Sequence, residues 1–171
     1  MKIRTDFVTN SSSSSFLLAF HSKEEGLETI SALTDRYGKI YVDDMYEDFD
    51  MADPILPENL IFNISDDLEN DAYTEMCYGE GGWWNSRKNT FEKRWMDAHP
   101  NAKWSDFIQS EGYKNECARL IQKYHKEVLD DIGDRQYIVM VEYADDTRIG
   151  SELEHEILPE CDFTVRRFSH H

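Results

Sequence analysis

Apolar positions run along this chain in two rhythms. Residues 16–20 form a short unbroken apolar run, which reads as a buried strand. Residues 136–143 carry a second such run and give the strongest strand signal in the chain. Loose alternation over residues 1–8 suggests an edge strand, and residues 163–168 alternate as a final strand, with Phe163, Val165 and Arg167 on one side. Between these the period changes to helical. Ser22 with Glu25 three residues later matches a capping box, Leu27, Ile30 and Leu33 recur at helical spacing, and Gly38 follows as a stop. Residues 39–42 suggest another strand, residues 59–64 a strand, and residues 66–76 a short helix. Helices are expected over 86–98 and 105–132, with His99-Pro100 between them. The second carries Cys117, Leu120, Ile121, Tyr124 and Val128 on one stripe, has Gly112 as a point of division, and ends at Gly133. A short helix over 151–158 should stop at Pro159.

This order predicts an α+β fold. A small mixed sheet is formed by the N- and C-terminal strands and packed with helices, and an acidic, loop-rich insertion lies at about 43–80. The helical segment covers about 86–132, and the length of 171 residues suits a single domain over 1–171. The serines of "TNSSSSS", residues 9–15, read as loop, because their side chains compete for backbone hydrogen bonds.

Charge sharpens the picture. The chain carries −17 overall. Residues 40–86 contain thirteen Asp and Glu and no Lys, Arg or His, so this stretch alone contributes −13. Such a surface repels DNA, RNA and anionic membranes and attracts basic proteins and divalent cations, so direct nucleic-acid binding is disfavoured. Apolar residues make up 40% of the chain, enough for a core. The longest apolar runs fall far short of the ~18 residues of a membrane helix. Cys77, Cys117 and Cys161 form no CxxC pair, which suggests reduced thiols and a cytoplasmic location.

Three constellations could carry chemistry. Asp145 and Asp146 follow the strand at 136–143, Glu152 and His155 share a helix face, and His170 and His171 end the chain. Carboxylate with imidazole suits a divalent metal or general acid–base work, so Asp145, Asp146, His155, His170 and His171 are the candidate metal ligands. Aspartate pairs are also common in turns, and terminal histidines are commonly solvated. The acidic stretch is the second. Asp43, Asp44, Glu47, Asp48, Asp50, Asp66, Asp67, Glu69 and Asp71, with Trp83 and Trp84, could meet a basic protein surface or imitate nucleic-acid phosphates. The same charges could simply be a solvated face. "DDLENDAYTE" lacks the glycine of an EF-hand loop. The third is Trp83-Trp84, Arg87-Lys88, Lys93-Arg94-Trp95 and Trp104, where packing of the tryptophans inward is favoured over stacking on bases. The serine run has no glycine and no following Gly-Lys-Ser, which argues against a nucleotide loop.

"MKIRTDFVTNSSSSSF" resembles an N-terminal sequence that recurs on proteins of clostridia and related Firmicutes, including their mobile elements. "YADDTRIGSELEHE" followed by "FSHH" resembles a C-terminal pattern in some of the same proteins. That group has no established activity, so the resemblance implies a host and a co-occurring pair of ends rather than a reaction. It adds weight to Asp145, Asp146, His155, His170 and His171 as a site.

Two functions follow from the sequence. One is a non-enzymatic protein-interaction module with a basic partner, in its sharp form an inhibitor or nucleic-acid mimic of phage or mobile-element type. The other is a metal-binding protein or small metal-dependent hydrolase. Whether the chain is an enzyme, and its oligomeric state, stay open at this level.

Overall fold

A computed structural model describes residues 13–37, 54–79, 90–144 and 152–170. Its element order is β1 (Ser13–Phe20), α1 (Lys23–Tyr37), a 3-10 turn (Pro57–Asn59), α2 (Leu60–Tyr78), α3 (Phe91–Ala98), α4 (Trp104–Gln109), α5 (Glu111–Ile132), β2 (Tyr137–Ala144), a π-helical turn (Leu153–Ile157), a 3-10 turn (Leu158–Glu160) and β3 (Thr164–His170). The fold is α+β, combining helices with a three-stranded sheet built from N-terminal and C-terminal strands. Contacts group the chain into two compact units. One joins the N-terminal part up to Pro57 to the C-terminal part from Ile132, and the other is Glu58–Asp131.

In the first unit β1 is the central strand, in the order β2-β1-β3. Both ladders are antiparallel. The sheet is therefore antiparallel throughout, where the sequence suggested a mixed one. Phe16, Leu18 and Phe20 point to one face with Tyr137, Val139 and Val141, and Ile30, Leu153 and Leu158 close that core. Leu17, Ala19 and Ile138, on the opposite face, are equally buried. β1 is thus covered on both faces and paired on both edges, which explains its unbroken apolar run. The edge of β2 receives one further bond, from Ile55 N–H to Ile138 O at 2.8 Å.

The capping signal holds. Ser22 Oγ accepts from Glu25 N–H at 3.2 Å, and the Glu25 carboxylate accepts from His21 N–H at 2.8 Å, which holds that carboxyl below its usual range. Gly26 sits where a Cβ would lie 2.9 Å from the Tyr137 ring, so its missing side chain lets α1 approach β2. Arg135 ties this unit's ends together. It donates to the carbonyls of Ile132 at 3.0 Å, Ala19 at 3.3 Å and Asp162 at 2.9 Å.

Four readings of the sequence change. Ser13–Ser15 are strand, not loop. Partners on both sides satisfy their backbone groups, so the local competition of serine hydroxyls loses. Residues 59–64 are the 3-10 turn and first turn of α2, not a strand, and the short helix over 66–76 is part of that same helix of 19 residues. Its buried stripe, Leu60, Ile64, Leu68, Ala72 and Met76, repeats every fourth residue; a local apolar run hid that period. The long helix divides at Ser110 rather than Gly112. Ser110 is extended, at φ −70 and ψ 148, and its hydroxyl caps α5 by accepting from Tyr113 N–H at 3.1 Å. The helix expected over 151–158 is a π-helical turn that passes into a 3-10 turn containing Pro159, so proline enters the new turn instead of ending the first.

In the second unit, Thr90 Oγ1 caps α3 by accepting from Lys93 N–H at 3.1 Å. Phe107 is the buried centre of an aromatic cluster with Trp95, Phe91 and Tyr113. Gly133, at φ 60, follows the end of α5 as expected. Gly79, at φ 79, ends α2. The strands expected over 1–8 and 39–42 lie outside the described residues. No described helix is long and apolar enough to cross a membrane.

Candidate functional site

The serine end of the sheet gathers several residues singled out in the sequence. Ser13 pairs with Ala144 on one side and with His170 on the other. The carboxyl ends of β2 and β3 therefore lie at one end of the sheet, two strand spacings or about 10 Å apart, with the serines between them. Ser14 and Ser15 are buried. A bulge in β3 beside Leu17 and Leu18 breaks the expected alternation, so that Arg167 pairs with Phe16 on the core-facing side. Its guanidinium carbon sits 5.8 Å from the Phe16 ring centroid. Arg167 Nε donates to Ser14 Oγ at 3.0 Å, and Nη2 lies 3.3 Å from His155 Nδ1.

This geometry assigns chemistry. A guanidinium has only donors, so a hydrogen bond across this contact uses His155 Nδ1 as the acceptor. Nδ1 is then unavailable to a metal, and the adjacent fixed positive charge opposes a cation at His155. Ser14 is buried and turned toward Arg167, which does not place it as a nucleophile activated by His155. Among the described residues no group of three His, Cys, Asp or Glu could hold a metal ion. Of the candidate ligands, His155 stands beside Arg167 and His170 has its backbone opposite Ser13. Asp145, Asp146 and His171 lie outside the described residues, with Asp145 following Ala144 directly in sequence. Arg167 was not singled out in the sequence, because its partners Ser14 and His155 lie on other elements.

The acidic stretch is the other candidate. Asp43, Asp44, Glu47, Asp48, Asp50, Trp83 and Trp84 lie outside the described residues, whereas Asp66, Asp67, Glu69 and Asp71 are all on α2. This helix carries five carboxylates and no basic residue. They do not form one ladder. Asp66 and Glu69 are exposed, and Asp67 and Asp71 are half-buried. Glu75 serves the packing: it accepts a hydrogen bond from the Tyr124 hydroxyl, with Lys123 Nζ 3.9 Å away. Because the stripe from Leu60 to Met76 is buried, the exposed carboxylates hold defined positions on a packed helix.

Aromatic side chains accompany them. Phe62 is 84% exposed and Trp104 46%. Trp104 meets Tyr73 edge to face, ring centroids 6.5 Å apart. Burial, ahead of the neighbouring Cys77 and Tyr78, pushes the Tyr73 hydroxyl up to about 12. Burial also raises the Tyr113 hydroxyl and the Cys117 thiol, and the Glu69 charge adds to both. Of the expected tryptophan-and-basic group, Trp95 packs inward on Phe107 and stacks on His99 at 4.1 Å, while Lys93 pairs with Asp97 at 3.0 Å. Trp104 is the one that reaches outward among the described tryptophans. Phe62 was missed because it was read within a strand; its place off the four-residue stripe is the signal that marks it as surface.

No protein-family model, curated protein or solved structure matches the chain.

Proposed function

We propose that this protein is a non-enzymatic interaction module that engages a basic partner protein through its acidic surface. The observation that carries this reading is α2: five carboxylates, no basic residue, and a buried stripe that fixes the helix in place. Carboxylates on an ordered frame meet a basic surface at lower entropic cost than an acidic tail does. Their spread around the helix supports side-chain docking over imitation of a regular phosphate backbone.

The test is binding of the full chain to poly-L-lysine and to duplex DNA over a range of salt. Binding to poly-L-lysine that weakens steeply with salt, and no binding to DNA, is expected. Binding to DNA, or indifference to both, overturns the reading. Displacement of DNA from an otherwise DNA-binding protein would favour the mimic form.

A metal-dependent reading keeps one supporting observation, the shared end of β2 and β3 around Ser13. The Arg167 guanidinium beside His155 opposes it. Elemental analysis of native protein with an Asp145→Ala, His155→Ala control tests it; stoichiometric metal that the double substitution removes would revive it.

A further inference from the structure

We propose that one side of α2, from Phe62 through Asp66 and Glu69 to Tyr73 and on to Trp104, is the docking surface. Its occupant is a basic amphipathic segment of a partner protein. This inference rests on the interaction reading above and names its site.

Residues 62, 66, 69 and 73 are spaced by four, three and four, so they share one side of the helix. They span about 16 Å along its axis. Asp66 and Glu69 are exposed, and Phe62, at 84%, is the most exposed large apolar side chain among the described residues. Trp104 extends the stripe through its contact with Tyr73. A single exposed Phe would be unremarkable. Here two exposed aromatics bracket two exposed carboxylates, and tryptophan is the residue type that most often anchors a protein interface.

Charge selects the occupant. A second copy of this chain would bring Asp66 and Glu69 toward another α2 without a basic residue, on a molecule of net charge −17. A segment that sets Lys or Arg between apolar side chains instead pairs with the carboxylates and covers both rings. Such a segment, helical over about four turns, would match the span.

The probe is a synthetic Lys/Leu amphipathic peptide of about four turns, with a Glu/Leu peptide as control, titrated against the full chain by calorimetry. The Lys/Leu peptide should bind with strong salt dependence and the Glu/Leu peptide should not. Phe62→Ser and Trp104→Ser should each weaken binding by about thirtyfold, as truncation of interface anchors does. Asp66→Asn with Glu69→Gln should flatten the salt dependence. Leu129→Ser, at an apolar residue 45% exposed and off this stripe, should change affinity less than about twofold.

Peptide binding that ignores Phe62→Ser and Trp104→Ser overturns this surface while leaving the acidic-module reading in place. So does a chain that binds poly-L-lysine but not the peptide. Failure to bind either overturns both. A concentration-dependent dimer abolished by Phe62→Ser would assign the surface to a second copy. A fall in melting temperature with Phe62→Ser and Trp104→Ser, but not with Leu129→Ser, would assign it to this chain's own packing. Either result overturns the proposal.

Discussion

Arg167 donates to Ser14 across the β1–β3 ladder at 3.0 Å, between residues 153 positions apart in sequence. This bond places a guanidinium at the buried serine end of the sheet and turns it toward His155, 3.3 Å away. It fastens the chain's last strand to its first described one. Arg167→Met keeps much of the side-chain bulk but removes a charge-assisted bond to a buried hydroxyl. It should destabilise the protein by about 2 kcal/mol. Urea unfolding followed by circular dichroism measures this, and an unchanged midpoint would show that the bond contributes nothing.

That relationship also shows what the sequence could reveal. The runs at 16–20 and 136–143 disclosed the central strand β1 and its neighbour β2, because burial leaves a continuous apolar signature. The Ser22 cap and the Gly133 stop were legible because capping is local chemistry. Ser13–Ser15 were not legible as strand. Their ladder partners lie more than a hundred residues away, and local propensity favours a turn. Arg167 was hidden for a related reason, since its partner Ser14 lies 153 positions away in sequence. On α2 the charges were plain, but the helical frame and the outward Phe62 emerged only when the stripe from Leu60 to Met76 replaced a short apparent strand.

Gly26 offers a test of the α1–β2 packing. In an open helix, Gly→Ala stabilises by about 1 kcal/mol. Here the added methyl would sit 2.9 Å from the ring of buried Tyr137 and 3.1 Å from Phe20, themselves packed together with ring centroids 6.3 Å apart. Overpacking should win, and Gly26→Ala should destabilise by about 1–3 kcal/mol. A stabilised variant in thermal or urea unfolding would show that the Tyr137 ring gives way.

Tyr73 should make stability fall in alkali. Its hydroxyl is pushed up to about 12 in the folded protein, chiefly by burial, whereas in the unfolded chain it ionises near 10, to within about a unit. Between those values the unfolded chain has shed a proton that the folded chain retains. Stability is therefore full below the unfolded value and declines as pH rises toward the folded one. Tyr113, also raised, adds in the same direction. Tyr73→Phe should reduce the loss of stability between about pH 9 and about pH 11.5. Urea midpoints of both proteins at the two pH values measure it, and identical losses would show that Tyr73 does not drive the decline.

The Phe62–Trp104 side of α2 is proposed to receive a basic segment. The most direct measurement is a two-dimensional amide NMR titration of the full chain with the Lys/Leu peptide, with the indole N–H of Trp104 as a reporter. The largest saturable shifts should fall at Phe62, Asp66, Glu69, Tyr73 and the Trp104 indole, and should shrink as salt is raised. Shifts centred instead on Ser14, His155 and Arg167, or small shifts spread over every acidic residue, would contradict it.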